Sequence, residues 1–441
     1  MQLKNISKQL GLATCSLLQI APSGSQASDS ASNSDWDIDT ALLYYSESDG
    51  RVSAVEPAIH LGRDIGSDDR IDLRLVVDVL TGATPNGAHA SSVAQTFTTP
   101  SGGSSYTTAP GDLPLDDEFH DTRGAFGADW TISLDRLSKV ILGANFSTEF
   151  DYFSAGLSAT YLRDFNDRNT TLNAGIAFNN DESSPVGGVP IEFLPMTVAG
   201  AEMNRNGASE TKTLSDFIIG VTQVVNRSTI FQLNYTFGQT DGYQNDPYKI
   251  VSVIDPATGL PATGSGSPVF DTAVTGNLPY VYEKRPDSRQ RNALFFNTAH
   301  HLTEDVVHFS YRYYWDDWGI SSNTFDLKYR YQLGSHYLMP HVRYYMQDAA
   351  DFYVHNLKLG SDVDATTGDV LKDYASHDYR LAELTTTTLG LKYGIPLSND
   401  SELAFRGALI TQAVSSDGVP AGEETPDLDA TVFQVNYSLT W

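Results

Sequence analysis

The 441-residue chain contains one cysteine, Cys15, and five methionines. That excludes a disulfide framework and a thiolate metal site. Charged residues reach only 19%, and they are lopsided, with 28 Lys and Arg against 55 Asp and Glu and a formal net charge of −27. Nucleic acid is excluded as a partner, because phosphate binding needs clustered cations. Long apolar runs are missing as well. No segment approaches the roughly 18 apolar residues of a spanning helix, so a helical membrane protein is excluded.

Aromatic residues are abundant at 11%, with 23 Tyr and 20 Phe. Residues 1–27 read as an export signal: Lys4 and Lys8 supply a positive start, Leu10 to Ile20 an apolar stretch, and Ser25-Gln26-Ala27 a small-x-small cleavage site. Leu12-Ala13-Thr14-Cys15 is the rival lipobox reading, with Thr where a smaller residue is expected. The main reading removes the only thiol and leaves 28–441 as the mature protein.

Beyond the signal the pattern has period two. Trp36, Ile38, Thr40, Leu42 and Tyr44 alternate with Asp35, Asp37, Asp39, Ala41 and Leu43, and Thr431, Phe433, Val435, Tyr437, Leu439 and Trp441 close the chain. Such alternation over ten or more residues marks a strand between two different environments. Sixteen segments carry it, near 35–47, 51–63, 69–81, 120–133, 138–150, 152–163, 169–179, 212–224, 229–240, 288–302, 305–317, 322–334, 337–350, 378–393, 401–414 and 428–441. They are twice the length of a usual globular strand of about five or six residues. Their connections alternate between short turns and long Gly, Pro, Ser, Thr and Asp-rich stretches at 82–119, 180–211, 241–287, 351–377 and 415–427. Short periplasmic turns and long extracellular loops are the plan of an all-β transmembrane antiparallel barrel in a Gram-negative outer membrane. In that reading Tyr437, Leu439 and Trp441 form the terminal-strand signal for barrel-assembly machinery.

From about Gly238 the sequence resembles a family of uncharacterised Gram-negative outer-membrane proteins, a domain-of-unknown-function family. The likeness, mainly over 238–393, rests on the segments Asp241-Gly242-Tyr243-Gln244-Asn245-Asp246-Pro247-Tyr248 and Glu283-Lys284-Arg285-Pro286-Asp287-Ser288-Arg289. Ser310 to Gly319, Arg343-Tyr344-Tyr345, Ala350-Asp351-Phe352-Tyr353 and Asp378-Tyr379-Arg380-Leu381 complete it. The resemblance implies an outer-membrane location and brings no activity. The family's association with flavin-transferase and thioredoxin-like genes implies an alternative role, a docking barrel for an envelope redox or cofactor-insertion system.

With the apolar face outward, the alternate residues line the lumen. The first nine strands then carry nine inward acids, Asp37, Asp39, Glu56, Asp72, Asp78, Asp121, Asp129, Glu149 and Asp216, against five bases, Arg70, Arg74, Arg123, Lys139 and Lys212. The last seven carry nine bases, Arg289, Arg291, Arg312, Lys328, Arg330, Arg343, Arg380, Lys392 and Arg406, against Asp316, Asp326 and Glu402. An acidic wall facing a basic wall predicts a transverse field in a porin-like channel or surface-binding barrel for a small polar solute. The competing reading is a barrel filled by cross-strand ion pairs.

No cofactor is expected. The acidic stretch Asp112 to Glu118 suits calcium or magnesium bridging lipopolysaccharide, or simply a solvated loop. The ten histidines form no metal motif, and spacing alone nominates no nucleophile system beside them, so enzyme activity is not expected. Remaining partners are membrane lipid and a second copy of the chain.

Overall fold

The computed structural model describes residues 36–66, 69–116, 120–264, 268–398, 400–415 and 427–441. The expected leader, Asp117 and Glu118 lie outside the described residues. Sixteen antiparallel strands close into one barrel, each paired with its neighbours in sequence. In chain order β1 to β4 are Trp36–Glu47, Ser53–Ile65, Asp69–Thr81 and His120–Ser133; β5 to β8 are Ser138–Thr148, Tyr152–Phe165, Thr170–Ser183 and Glu210–Asn226. β9 to β12 are Thr229–Gly242, Ser288–His301, Val306–Asp316 and Ser321–Leu333; β13 to β16 are His336–Gln347, Leu384–Ser398, Ser401–Val414 and Leu428–Thr440.

A strand of about 12 residues rising ~3.3 Å each and tilted ~40–45° spans about 30 Å, the hydrocarbon thickness of a bilayer. Alternate side chains meet that hydrocarbon. Leu42 and Tyr44 on β1, Leu75 on β3, Trp130 on β4, Leu157 on β6, Leu327 on β12, Leu389 on β14 and Phe433 on β16 are all exposed. A continuous outward apolar band of this extent is foreign to a soluble surface.

One expected strand is displaced. β14 begins at Leu384, not 378. The carboxylate of Asp378 accepts a hydrogen bond from the Arg380 backbone N–H and caps a single 3-10 turn, Tyr379–Leu381. That side-chain-to-backbone bond outcompetes a ladder position. Arg380 therefore belongs to a loop and not to the basic wall.

At one end the strands are joined by short turns. At the other, residues 82–116, 184–209, 243–264, 268–287 and 348–383 fold together into a cap with its own sheet. Its strands run in the order Pro195–Thr197, Asn277–Tyr282, Ile250–Ile254, Leu357–Lys358, the last pair parallel. Val251, Val253, Phe270, Val281 and Leu357 are fully buried in its core. A second cluster joins Ala88 and Phe97 to Ile250, Tyr280 and Tyr282. Gly87, at φ +94°, lies so close to Ile250 that a Cβ would sit 2.6 Å from the Ile250 carbonyl oxygen.

Inside the barrel, Gly394 on β14 leaves room for the ring of Tyr337 on β13. A Cβ at Gly394 would lie 2.1 Å from a ring carbon. The Tyr337 hydroxyl donates to Glu402 on β15 at 2.7 Å, and Arg330 stacks on the ring 3.8 Å from its centroid. Gly394→Ala should therefore destabilise the folded barrel by about 1–3 kcal/mol through overpacking. The check is a lower temperature for conversion of the heat-modifiable band. Gly407→Ala, whose Cβ would meet nothing within 4 Å, should leave it unchanged.

Candidate functional site

The lumen divides into three sectors. In the first, β1 to β4, acids are paired with bases on the same strand or one or two strands away. Arg70 reaches Asp37 at 2.9 Å, Asp72 at 3.1 Å and Asp64 at 3.2 Å. His60 bridges Asp39 at 3.2 Å and Asp72 at 3.0 Å. Arg123 holds Asp78 at 2.5 Å, and Arg74 holds Asp129. Of the residues expected in the acidic wall, Asp37, Asp72, Asp78 and Asp129 thus have guanidinium partners, and Asp39 meets the His60 ring. Asp121 on β4 and Glu149, just past β5, are neighbouring acids.

The second sector, β5 to β9 at mid-height, is an amide wall that the charge pattern did not reveal. The Asn145 amide donates to Asn179 at 2.9 Å across Gly156, whose missing side chain makes the space. Gly220 plays the same part between Asn173 and Asn234.

The third sector, β10 to β15, is basic. Arg289 and Arg291 near the cap are paired, with Asp316 at 2.5 Å and Asp216 at 3.3 Å. Lys328 and His341 share Asp326 at 3.5 and 2.7 Å, and Lys392 lies 3.7 Å from Glu402. Arg312, Arg330 and Arg343 have no carboxylate oxygen within 4.0 Å among the described residues. Arg312 on β11 and Asn145 on β5 point inward by parity, and both are exposed. Inward side chains on two distant strands are thus not packed over at mid-height.

The cap is fastened to the rim at separate points around the mouth. Arg51, between β1 and β2, lies over the Tyr379 ring and donates to the Asp427 carbonyl at 2.8 Å. Tyr248 donates to Asp151 between β5 and β6. Trp318, between β11 and β12, meets Phe352 edge-on at 5.1 Å. Within the cap, Arg285 pairs with Glu283 at 2.7 Å and with Asp378 at 2.8 Å, while Arg380 bridges Asp378 and Asp246, each at 2.6 Å. Burial alone would raise the Asp378 carboxyl, but Arg380 and Arg285 prevail and hold it well below the usual carboxylate range. At Glu283 burial prevails over Arg285 and the carboxyl is pushed up. These residues come from the segments that carry the family resemblance, so motifs far apart in sequence meet in one network.

His89, His355 and His377 also meet there, with ring centroids 5.6 and 4.8 Å apart along the chain of contacts. The His377 Nδ1–H donates to the Gly87 carbonyl. Among the described residues no group of three ligating side chains is arranged to hold a metal ion. Trp441 is exposed on the outer face, its backbone paired with Trp36 at 2.6 and 2.8 Å.

A family model described as "Protein of unknown function (DUF3570)" matches residues 7–439, well beyond the second half in which the likeness is concentrated. Comparison with curated proteins finds no match. Among solved structures the chain is similar to a bacterial polysaccharide outer membrane secretin, at 9% identity over 93% of this chain and 100% of that one, TM-score 0.41. It is similar to OccK5 (OpdH) of Pseudomonas aeruginosa, at 10% identity over 93% and 98%, TM-score 0.40. It is also similar to CdiB from Acinetobacter baumannii, at 7% identity over 92% of this chain and 60% of that chain, TM-score 0.44.

The cap carries a pH dependence. Burial, then His355 and His89, push His377 down to about 3, whereas an unfolded histidine titrates near 6.5. Between those values the opened cap binds a proton that the closed cap does not, so closure weakens as pH falls, by up to about 1.4 kcal/mol per unit. Protease cleavage within 243–287 and 348–383 should rise as pH falls from about 6.5 to about 4. His377→Asn should flatten that rise, and equal slopes in both proteins would refute the assignment.

Proposed function

The chain belongs to the family of unknown function DUF3570, and from the geometry of its barrel we propose that it is a porin-like channel of a Gram-negative outer membrane, passing a small polar solute. The observation that carries this reading is the exposure of inward polar side chains at the height of Asn145 and Arg312. A barrel serving only as an anchor has no need of a wet interior. The basic sector on one side and the amide wall on another would orient a dipolar solute, because low-dielectric protein around the water strengthens the field. The long loops are extracellular in this reading, and the cap restricts the outer mouth.

A specific observation favours the second reading, a closed docking barrel for an envelope redox or cofactor-insertion partner. The cap has a fully buried apolar core and is fastened to the rim at β1/β2, β5/β6 and β11/β12. A cap so built resists opening.

Planar-bilayer recording of the purified protein separates the two. The channel reading expects steady conductance steps that grow when the cap is loosened by Arg285→Met, which leaves Asp378 and Glu283 less compensated. A wild-type barrel and a loosened one that are both silent would leave the docking reading. Insertion offers a separate test of Trp441. As the outward-facing residue that follows β16, it is proposed to be the residue read by barrel-assembly machinery, and Trp441→Asp should lower the folded fraction recovered from outer membranes. Undiminished recovery would remove that role.

A further inference from the structure

The cations of the third sector form an ordered row. Arg312 on β11 stands opposite Thr324 on β12, which in turn faces Tyr345 on β13. One pleat lower, Arg343 on β13 stands opposite Asp326; a further pleat down, Lys328 stands opposite His341. Below that, Lys392 on β14 stands opposite Met339 and, on its other side, Arg406 of β15. Arg330 lies two residues beyond Lys328 toward the short-turn end. Each step is two residues, about 7 Å along a strand, so six cations descend the wall from mid-height toward the short-turn end.

Counter-charge is short along this row. Asp326 is occupied by His341 and Lys328, and Glu402 by Lys392 and the Tyr337 hydroxyl. Arg312, Arg330 and Arg343 are left with no carboxylate oxygen within 4.0 Å among the described residues. Lys392 and Arg406 are direct cross-strand partners, with Glu402 3.7 Å from Lys392. The same barrel pairs Arg70, Arg74 and Arg123 with carboxylates in its first sector. In the first sector each of these arginines has its own carboxylate, whereas along the descending row Asp326 and Glu402 serve Lys328, His341 and Lys392 and leave the three arginines without one within 4.0 Å among the described residues. The guanidinium of Arg330 lies over Tyr337 and that of Arg312 over Tyr314. Stacking fixes the plane of a guanidinium while its edge donors stay available for a bidentate oxyanion.

We propose that this row binds a small multivalent oxyanion, carboxylate or phosphate, inside the lumen. The proposal deepens the channel reading by naming its solute class, and it rests on the wet lumen that reading invokes. A small organic acid or a phosphate compound would pass from one cation pair to the next, each step within reach of two bound groups.

Isothermal titration of the folded, detergent-purified full chain at low ionic strength tests it, with citrate and inorganic phosphate as probes and sucrose as a neutral control. Citrate or phosphate should bind and sucrose should not; the tighter probe identifies the chemistry. The triple variant Arg312→Gln, Arg330→Gln, Arg343→Gln should bind that probe at least about tenfold more weakly, since charge-assisted hydrogen bonds are lost. Arg123→Gln, which alters a paired arginine of the first sector, should bind as wild type. Where the triple variant lacks the heat-modifiable band, Arg343→Gln alone is used, and it should still weaken binding. Reversal potentials under a KCl gradient supply the second arm, with anion preference in the wild type reduced in the variant. Binding without conductance upholds the anion site and removes the channel reading. Conductance without binding or anion preference keeps the channel and overturns the anion site. Binding unchanged in the variants, or weakened equally by Arg123→Gln, overturns it as well.

Discussion

Everything in this molecule depends on the closure of β1 against β16. In hydrocarbon an unpaired backbone N–H or C=O has no water to turn to, so a sheet that crosses a membrane has to close on itself. The seam runs from Asp37 opposite Thr440 to Glu47 opposite Ala430. Its register fixes which face of every strand meets lipid, because a slip of one residue would exchange the two sets of side chains. With Leu42 and Tyr44 outward, Asp37 and Asp39 are inward, where Arg70, His60 and the Thr440 hydroxyl meet them. Closure therefore sets the lumen's chemistry before any individual ion pair forms.

That constraint also explains what could be read from residues alone. Strands with one face in lipid and one in water must alternate, and all sixteen segments were visible for that reason. Parity then assigned Arg312, Arg330 and Arg343 to one wall, and the register sets them on one strand face with Thr324, Asp326 and Lys328. Arg380 escaped because the stretch before Leu384 alternates passably, while the capping bond of Asp378 is invisible in a pattern of polar and apolar letters. The cap escaped for a deeper reason. Its contacts join Asp246 to Arg380 and Gly87 to His377, more than a hundred residues apart with no period between them. The one available signal was the set of segments carrying the family resemblance, whose charged residues converge on Asp378. The amide wall had no signal, since Asn and Gly on alternate positions look like any weakly polar strand face.

The two charged regions of the chain use opposite physics. In the cap, Asp378 and Glu283 are almost fully buried, and their guanidinium partners compensate a desolvation cost of several kcal/mol per ion. Removing one partner there strands a buried charge, so the network enforces a single closed arrangement. In the lumen row Arg312 is exposed and Arg330 and Arg343 are half-buried, so whatever water reaches them shares in screening their charge. A buried network suits a part that must hold one shape, and an underpaired row suits a part that exchanges partners. An anion arriving on the row displaces loosely held water and counter-ions without breaking an ion pair of the fold. The barrel can thus bind and release such a solute without any of the rearrangement that opening its cap would require.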